Sequence, residues 1–283
     1  MKILSIQSSV AYGHVGNSAA VFPLQRLGHE VWPVLTVHFS NHTGYGAWRG
    51  PMLDPGDVRE VIAGIADRGV LGEADAVLSG YQGDPAVGAV VLDTVAQVKA
   101  ANPEAVYCCD PVMGDLGRGM FVKPGIPEFM RDEVVPRADI VTPNHFELNF
   151  LAGRDTTTLD EVLEAVDVVR ATGPRDVLVT SVLHSDSEPG TLDVVAVSDD
   201  GAWAVTTPLL PITPNGCGDV TAALYLAHLR STGSPARALE LTTSAIYAIL
   251  EATMAAGTRE IQLVAAQDAI AAPEPRFEAR RLR

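Results

Sequence analysis

The feature that most constrains the fold of this chain is a nearly unbroken alternation of short β-branched segments with longer amphipathic ones. Short apolar runs bounded by turn residues are typical of buried strands, and the longer segments have helical periodicity. The strands are predicted at 2–7, 30–37, 75–80, 105–110, 139–144 and 176–181. The intervening helices are predicted at 17–27, 55–68, 85–100, 125–135, 145–152 and 158–172. This order predicts an α/β fold, a Rossmann-like three-layer sandwich in which a central, mainly parallel sheet carries helices on both faces.

The last third of the chain departs from this alternation. Residues 191–208 contain two strand-like runs joined by Asp200-Gly201, which predicts a hairpin. Closing helices are predicted at 217–231, 236–256 and 264–270. We find no repeat and no linker-like segment, so we expect one domain over 1–283, with the arginine-rich end, 271–283, as a solvated tail.

Charge and cysteine usage exclude several function classes. The formal net charge is −15 and the body of the chain has no basic stripe, which argues against nucleic acid or an acidic membrane surface as a partner. Three cysteines are too few for a disulfide framework, and Cys108 and Cys109 lie in an apolar run typical of core thiols. The start lacks a signal-peptide pattern and no segment has the length of a membrane span. We therefore expect a cytoplasmic enzyme.

Three carboxylates follow the predicted strands or begin the next helix. Asp110 ends one strand, Glu147 lies in the first turn after another, and Asp219 begins the helix at 217–231. Each has an ordinary explanation, as a turn former or as a helix N-terminal acid. Ligands bind beyond the carboxyl ends of the strands in open parallel sheets, so the three together predict a site with one base and a cation.

Glycines around the start of that helix extend the same prediction. In Gly216-Cys217-Gly218-Asp219, free backbone N–H groups at a helix N-terminus form an anion hole. An aspartate there can accept a proton from an alcohol that attacks phosphorus. A single GxGD is common in turns, so its meaning depends on the surrounding motifs.

Other catalytic signatures are missing from the sequence. The chain has no GxxxxGK[ST], GxGxxG, GxSxG or HExxH motif. Its only lysines are Lys2, Lys99 and Lys123, and the first two lie away from the strand ends. An enzyme that holds pyridoxal phosphate as a Schiff base is therefore a poor interpretation.

Several motifs, taken in order, resemble one family. They are "VAYGHVGN", "FSNHTGYG", "SGYQG", "CCDPVMGD", "DIVTPNHFEL" and "GCGDVTAALYLAHL". Together they resemble the pyridoxal (pyridoxamine) kinases of the ribokinase-like superfamily, over nearly the whole chain to about residue 271. The resemblance implies a ribokinase-like fold and ATP-dependent phosphorylation of the 5′-hydroxyl of pyridoxal and related vitamers. It also implies Mg²⁺, often K⁺, and a homodimer.

The resemblance also assigns residues on the vitamer side. Asp219 would be the base, and Gly216, Cys217 and Gly218 would line the anion hole. Ser8 would hydrogen-bond the pyridine ring. The remaining ring-pocket residues would be Thr43, Gly44 and Tyr81.

On the nucleotide side, the resemblance implies contacts to ATP from several strand ends. These residues are Asp110, Thr142, Asn144, Glu147, Thr180, Ser181, Thr207, Pro208, Leu209 and Leu210. Asp110 and Glu147 would hold the metal. Residues 114–125 would form a mobile lid over ATP, with Lys123 facing the phosphates.

Departures from the pattern of the family occur at Thr180, where some relatives carry Lys, in the short stretch between Leu210 and Gly216, and at two residues near the vitamer. Cys217 stands where relatives often have Val or Thr, and a thiol near the site predicts sensitivity to oxidants. Gly44 replaces a larger side chain of some relatives, which predicts a looser ring pocket. His14 and His42 are interpreted as ring-pocket contacts or as loop packing.

Two alternative functions are considered. One is another small-alcohol kinase of the superfamily, acting on hydroxymethylpyrimidine or a sugar. The other is a catalytically silent vitamer-binding protein, and the presence of Asp219 argues against it.

Overall fold

A nine-stranded sheet and a small two-stranded one organise the computed structural model, which describes residues 1–283. The strands are β1 (Lys2–Val10), β2 (Glu30–Phe39), β3 (Ala76–Ser79), β4 (Val106–Cys109), β5 (Gly114–Asp115), β6 (Gly119–Met120), β7 (Ile140–Val141), β8 (Asp176–Val182), β9 (Thr191–Ser198), β10 (Gly201–Pro208) and β11 (Arg280–Arg281). The α-helices are α1 (Asn17–Arg26), α2 (Pro55–Ala66), α3 (Pro85–Ala101), α4 (Ile126–Phe129), α5 (His145–Ala152), α6 (Leu159–Arg170), α7 (Cys217–Thr232), α8 (Pro235–Ala256) and α9 (Gln267–Ala271).

The order of strands in the large sheet is β11-β10-β9-β8-β7-β4-β3-β1-β2. The neighbours from β2 through β8 pair in parallel, whereas β9, β10 and β11 pair antiparallel at one edge. The predicted mainly parallel sheet and the hairpin at Asp200-Gly201 are both confirmed. Gly201 has φ +141°, which suits the tight turn between β9 and β10.

Alternate residues of the central strands pack into separate apolar clusters on the two faces of the sheet. Leu4 and Ile6 of β1 join the cluster that contains residues from α2, α3 and α6. Ile3, which points the other way, joins the cluster that contains residues from α1, α7 and α8. Because side chains alternate between faces along a strand, this pattern produces the predicted three-layer sandwich.

Local capping explains where several helices begin. Asp54 accepts a hydrogen bond from the Gly56 N–H at the start of α2. Thr158 and Glu161 form a reciprocal capping box at α6, as the sequence predicts. Asn144 and Glu147 form a second capping box at α5. This second box holds Glu147 against the loop that follows β4.

One prediction about local structure is confirmed only in part, and one is wrong. The helix expected at 125–135 has only one α-helical turn, α4, followed by a π-helical turn over Met130–Val134 and a 3₁₀ turn. Pro136 cannot donate the backbone hydrogen bond that would extend the helix. The expected tail, 271–283, instead contains β11, which pairs with β10. Leu282 packs against the large apolar cluster, and this contact keeps the segment on the sheet edge.

The position of β1 creates a crevice at one end of the sheet. β1 lies between β2 and β3, so the order in which the chain adds strands reverses there. Ligands of open α/β sheets bind at such a reversal, beyond the carboxyl ends of the strands. None of the helices combines the length and apolarity that crossing a membrane requires.

Candidate active site

The two glycines at the start of α7 have different structural reasons. Gly216 has φ +90°, and a Cβ there would lie 1.9 Å from the carbonyl oxygen of His14. At Gly218, the nearest atom to an added Cβ is Oδ2 of Asp110, at 3.7 Å. Folding therefore requires glycine at 216 but not at 218. The absence of a side chain at 218 leaves the helix N-terminus open to a ligand.

Asp219 lies in the first turn of α7, beside this open backbone. Burial raises the pKa of Asp219 to about 6, although the N–H groups of Gly16 and of Asp219 itself act in the opposite direction. The carboxylate is thus ionised near neutral pH and more basic than an exposed aspartate. Both properties suit a general base.

Asp110 and Glu147 lie close to each other and to Asp219. Burial, followed by the charges of Glu147 and Asp219, raises the pKa of Asp110 well above its usual range. Burial likewise raises the pKa of Glu147. Thr142 donates a hydrogen bond to Oδ1 of Asp110 over 3.2 Å. The structure therefore brings together the three carboxylates that the sequence singled out.

The donor set around Glu147 differs from that around Asp110. Glu147 Oε1 accepts N–H bonds from Met113 at 2.8 Å and Gly114 at 3.3 Å, and its Oε2 accepts one from Asn144 at 2.9 Å. The carboxylate of Glu147 thus already holds the loop after β4. Asp110 has fewer protein partners, and its Oδ2 faces the start of α7.

The positions of Asp110 and Glu147 fit a magnesium ion whose other ligands come from substrate phosphates. No group of three His, Cys, Asp or Glu side chains forms a metal cage. Mg²⁺ is commonly bound by one or two carboxylates together with substrate phosphates and water. Asp110 fits a direct ligand, and Glu147 fits a supporting charge behind it.

The vitamer-side residues predicted from the resemblance lie around the crevice. Ser8 is buried at an irregularity in the β1–β2 register, between Gln7 and Ser9. β1 continues three residues beyond its predicted end, so Ser8 lies within the strand. Thr43 and Gly44 are exposed in the turn after β2. Tyr81 is half-buried and packs against the small apolar cluster at the ends of β1 and β2.

The expectation of a looser pocket at Gly44 is not supported by its surroundings. A Cβ at Gly44 would lie 2.9 Å from Nδ1 of His42 and 3.2 Å from Nδ2 of Asn215. These two side chains already occupy the space beside the glycine. Gly44 therefore permits a close approach of His42 and Asn215, which a larger side chain would displace.

The nucleotide-side residues lie at the ends of β7, β8 and β10. Asn144 caps α5 and forms an isolated bridge with Thr180. Ser181 has φ +55°, the only positive φ among non-glycine residues, at an irregularity in the pairing of β8 with β9. Strained backbone of this kind clusters at functional sites. The remaining predicted contacts run from the buried Thr207 through Pro208 and Leu209 to Leu210.

The segment predicted as a lid contains β5 and β6 and carries two cations, Arg118 and Lys123. Lys123 Nζ lies 3.3 Å from Oδ2 of Asp84, at the start of α3. Arg118 instead donates a hydrogen bond to Oδ1 of Asn215 at 3.0 Å. Because Asn215 directly precedes Gly216, this contact places Arg118, which also pairs with Asp115, beside the start of α7. Sequence analysis missed Arg118.

The surroundings of Cys217 argue against the expectation of an oxidant-sensitive thiol, although its side chain is partly exposed. Its side chain packs against the apolar cluster between α1, α7 and α8. Burial, followed by the charge of Asp219, raises the pKa of Cys217 to about 12. The thiolate is the reactive species, so this thiol is poorly reactive.

Glu260 is a second residue that sequence analysis missed. Its buried carboxylate accepts hydrogen bonds from the Tyr45 hydroxyl at 2.6 Å and the His14 N–H at 3.1 Å, and its Oε1 lies 3.0 Å from Nε2 of His42. The available signal was weak: a single acidic residue beside the apolar Ile261 in "TREIQL". His14 and His42 both contact Glu260.

Comparison with known proteins first gives the class. The sequence model described as phosphomethylpyrimidine kinase matches residues 73–264. The anion hole and its carboxylates lie on a fold of this class, so the chain is a kinase of the phosphomethylpyrimidine kinase type.

Individual relatives give the family. The chain is 60% identical over 283 residues to pyridoxal kinase PdxY of Rubrobacter xylanophilus, covering 100% of this chain and 98% of the relative. It is 58% identical over 282 residues to pyridoxal kinase PdxY of Leifsonia xyli, with 100% of each chain covered. The structure of pyridoxal kinase from Leishmania donovani in complex with ADP and pyridoxine has a TM-score of 0.93 and 30% identity, covering 100% of this chain and 99% of that one. The chain belongs to the pyridoxal kinase family, which confirms the resemblance and the ribokinase-like fold.

Proposed function

We propose that this chain phosphorylates the 5′-hydroxymethyl group of pyridoxal with ATP, and that Asp219 is the base. Asp219 takes the hydroxyl proton as the hydroxyl oxygen bonds to the γ-phosphorus, and the bond from that phosphorus to the oxygen of ADP breaks. The products are pyridoxal 5′-phosphate and ADP. The observation that carries this proposal is a buried carboxylate with a pKa of about 6 beside an open helix N-terminus.

The backbone of Gly216, Cys217 and Gly218 binds and orients the transferring phosphoryl group. Its negative charge is balanced by the N–H groups at the start of α7 and by Arg118 of the lid. Closure of the lid excludes water, which prevents hydrolysis of ATP.

The nucleotide occupies the ends of β7, β8 and β10 in this proposal. Thr142, Asn144 and Thr180 position its phosphates, and 207–210 contact the rest of the nucleotide. Mg²⁺, when bound with ATP, neutralises phosphate charge. Asp110 would be its direct protein ligand, and Glu147 would support it from the loop after β4.

The vitamer ring occupies the crevice at the ends of β1 and β3. Ser8 hydrogen-bonds the pyridine ring, and Thr43, Gly44 and Tyr81 enclose it. Pyridoxine and pyridoxamine carry the same hydroxymethyl group, so they are included as candidate substrates.

Four further parts of the proposal come from the family resemblance or from the composition and pattern of the sequence. They are a K⁺ requirement, a homodimer, a single kinase domain and a cytoplasmic location. Replacing potassium by tetramethylammonium in the assay tests the first, and light scattering of the purified protein tests the second.

The substitution Asp219→Asn tests the proposed base. It removes the proton acceptor but keeps the shape of the side chain, so we expect kcat to fall by about 10²- to 10⁴-fold. Binding of pyridoxal, followed by calorimetry, should change little. Undiminished turnover would refute the base assignment, and loss of turnover together with retained binding also argues against a silent vitamer carrier.

A substrate panel separates this function from the rival kinase. ADP release is measured with pyridoxal, pyridoxine, pyridoxamine and hydroxymethylpyrimidine. We expect release with at least pyridoxal. Release with hydroxymethylpyrimidine alone would favour the alternative activity, in keeping with the name of the matching family model.

A further inference from the structure

Glu260 connects three loops that border the proposed vitamer pocket. Its Oε2 accepts the N–H of His14 from the loop after β1, and its Oε1 contacts both His42 and Tyr45 from the loop after β2. Glu260 also forms an isolated bridge with Asn215, next to the anion hole. One buried carboxylate therefore links the loops that hold the ring to the segment that holds the phosphate.

The polarity of these contacts fixes which nitrogen of His42 carries a proton. An ionised carboxylate only accepts hydrogen bonds. Nε2 of His42 lies 3.0 Å from Oε1 of Glu260, so Nε2 must be the protonated nitrogen. In the neutral ring, Nδ1 then presents a lone pair.

The Nδ1 atom of His42 has no partner within the chain. It is buried and makes no hydrogen bond, although almost every buried polar atom in a folded protein has one. It faces Gly44, since a Cβ added there would lie 2.9 Å from it. The unpaired acceptor thus lies beside a residue of the proposed ring pocket.

We propose that Glu260 is a positioning residue of the vitamer pocket, which fixes the tautomer of His42 so that Nδ1 accepts a hydrogen bond from a hydroxyl of the substrate. The inference rests on the proposed function, because it takes the crevice to be the vitamer site. Glu260 acts through His42 and does not touch the substrate. The pocket should therefore prefer a ring substrate that has a hydroxyl donor on the side facing His42.

The neighbours of Glu260 show that the carboxylate is closely enclosed. A Cβ at Gly13 would lie 2.1 Å from Oε2 of Glu260, so the loop after β1 can approach only as glycine. Arg259 donates to the carbonyl of Gly44 at 2.9 Å and stacks on the Tyr45 ring at 4.4 Å. The turn that carries Gly44 is thereby held from both sides.

The variant Glu260→Gln tests the inference because its amide would also present N–H donors to His42, Tyr45 and His14. We expect the KM for pyridoxal to rise about tenfold or more, the loss expected when a hydrogen-bonding group is misaligned. The KM for ATP and the melting temperature should change little. Glu251→Gln, which removes an exposed carboxylate paired with Arg276, is the matched control and should leave every parameter unchanged.

Nitrogen NMR of ¹⁵N-histidine-labelled protein reads the tautomer directly, with His42 assigned through His42→Asn. We expect the wild-type ring to carry its proton on Nε2 and Glu260→Gln to contain a mixture of tautomers. A wild-type ring protonated on Nδ1, or a wild-type KM for pyridoxal in Glu260→Gln, would overturn the inference. Absence of vitamer phosphorylation by the wild type would instead refute the proposed function, and the NMR result does not depend on that activity.

Discussion

Carboxylates at the two ends of the parallel strands have different hydrogen-bond and charge partners. At the amino ends of the strands, called the starting end, Asp139 lies 2.7 Å from Nζ of Lys99 and accepts the N–H of Tyr107. Asp176, at the same end, pairs with Arg175 at 3.2 Å. These acids follow turns and join neighbouring elements. Their partners are cations or backbone N–H groups of the same chain.

The carboxyl ends of the strands, called the exit end, bring together three acids that have no such cations: Asp110, Glu147 and Asp219. None of the three forms an ion pair with a lysine, arginine or histidine, and burial raises the pKa of each. Mutual repulsion makes this arrangement unfavourable for folding. The acids at the starting end are paired with cations of the chain, whereas Glu147 and Asp219 at the exit end accept backbone N–H bonds and, in the proposed function, receive positive charge with the ligand.

The largest effect that separates the two ends is expected in activity. Asp110→Asn should lower kcat/KM for ATP by about 10²- to 10³-fold, because it removes the proposed direct ligand of the metal. Asp139→Asn, at the other end, should stay within about twofold of wild type. Steady-state assays at several magnesium concentrations measure both. Equal losses of kcat/KM in the two variants would contradict the proposed difference between the two ends.

Lowering the pH should change the contributions of the two ends to the free energy of unfolding in opposite directions. His228 of α7 lies near His29, which precedes β2, and burial lowers its pKa to about 4. Since folding favours the neutral ring, its contribution to stability is present above pH 6.5 and is lost as the pH falls towards 4. The loss is on the order of 3 kcal/mol at the acid limit. Asp219, with its raised pKa, contributes stability that is lost as the pH rises through about 6.

Urea unfolding of His228→Leu between pH 7 and pH 4 measures this difference. The variant should lose less stability than the wild type as the pH falls. An identical pH dependence would show that the neutral state of His228 contributes nothing.

A smaller effect separates the two glycines within the exit end. Gly218→Ala should lower kcat/KM about tenfold by obstructing the phosphate, while its stability stays equal or rises by up to about 1 kcal/mol through the better helix propensity of alanine. Gly216→Ala should instead destabilise the fold, because its Cβ would meet the carbonyl of His14. Thermal melting and ADP release distinguish the two outcomes. Full activity in Gly218→Ala would argue against close approach of a ligand to this backbone.

The sequence predicts the sheet well because each parallel strand leaves a local pattern of β-branched residues and turns. It also predicts that Asp110, Glu147 and Asp219 converge, because the carboxyl ends of parallel strands share one edge. It did not predict β11, since two exposed arginines carry no strand pattern of their own. Glu260 was missed for a related reason: its partners lie 215 to 246 residues away, and no local spacing records them.

The claim that the exit-end carboxylates do not stabilise the fold is tested most directly by the free energy of unfolding of two variants. Asp110→Asn and Asp139→Asn are unfolded in urea at pH 8 without nucleotide or metal. Asp110→Asn relieves repulsion among buried carboxylates, so it should be as stable as the wild type or more stable by about 1–2 kcal/mol. Asp139→Asn weakens a neutralised contact and should be less stable by about 1 kcal/mol. If Asp110→Asn is destabilised as much as Asp139→Asn, the carboxylates at the exit end serve the fold, and the central claim is contradicted.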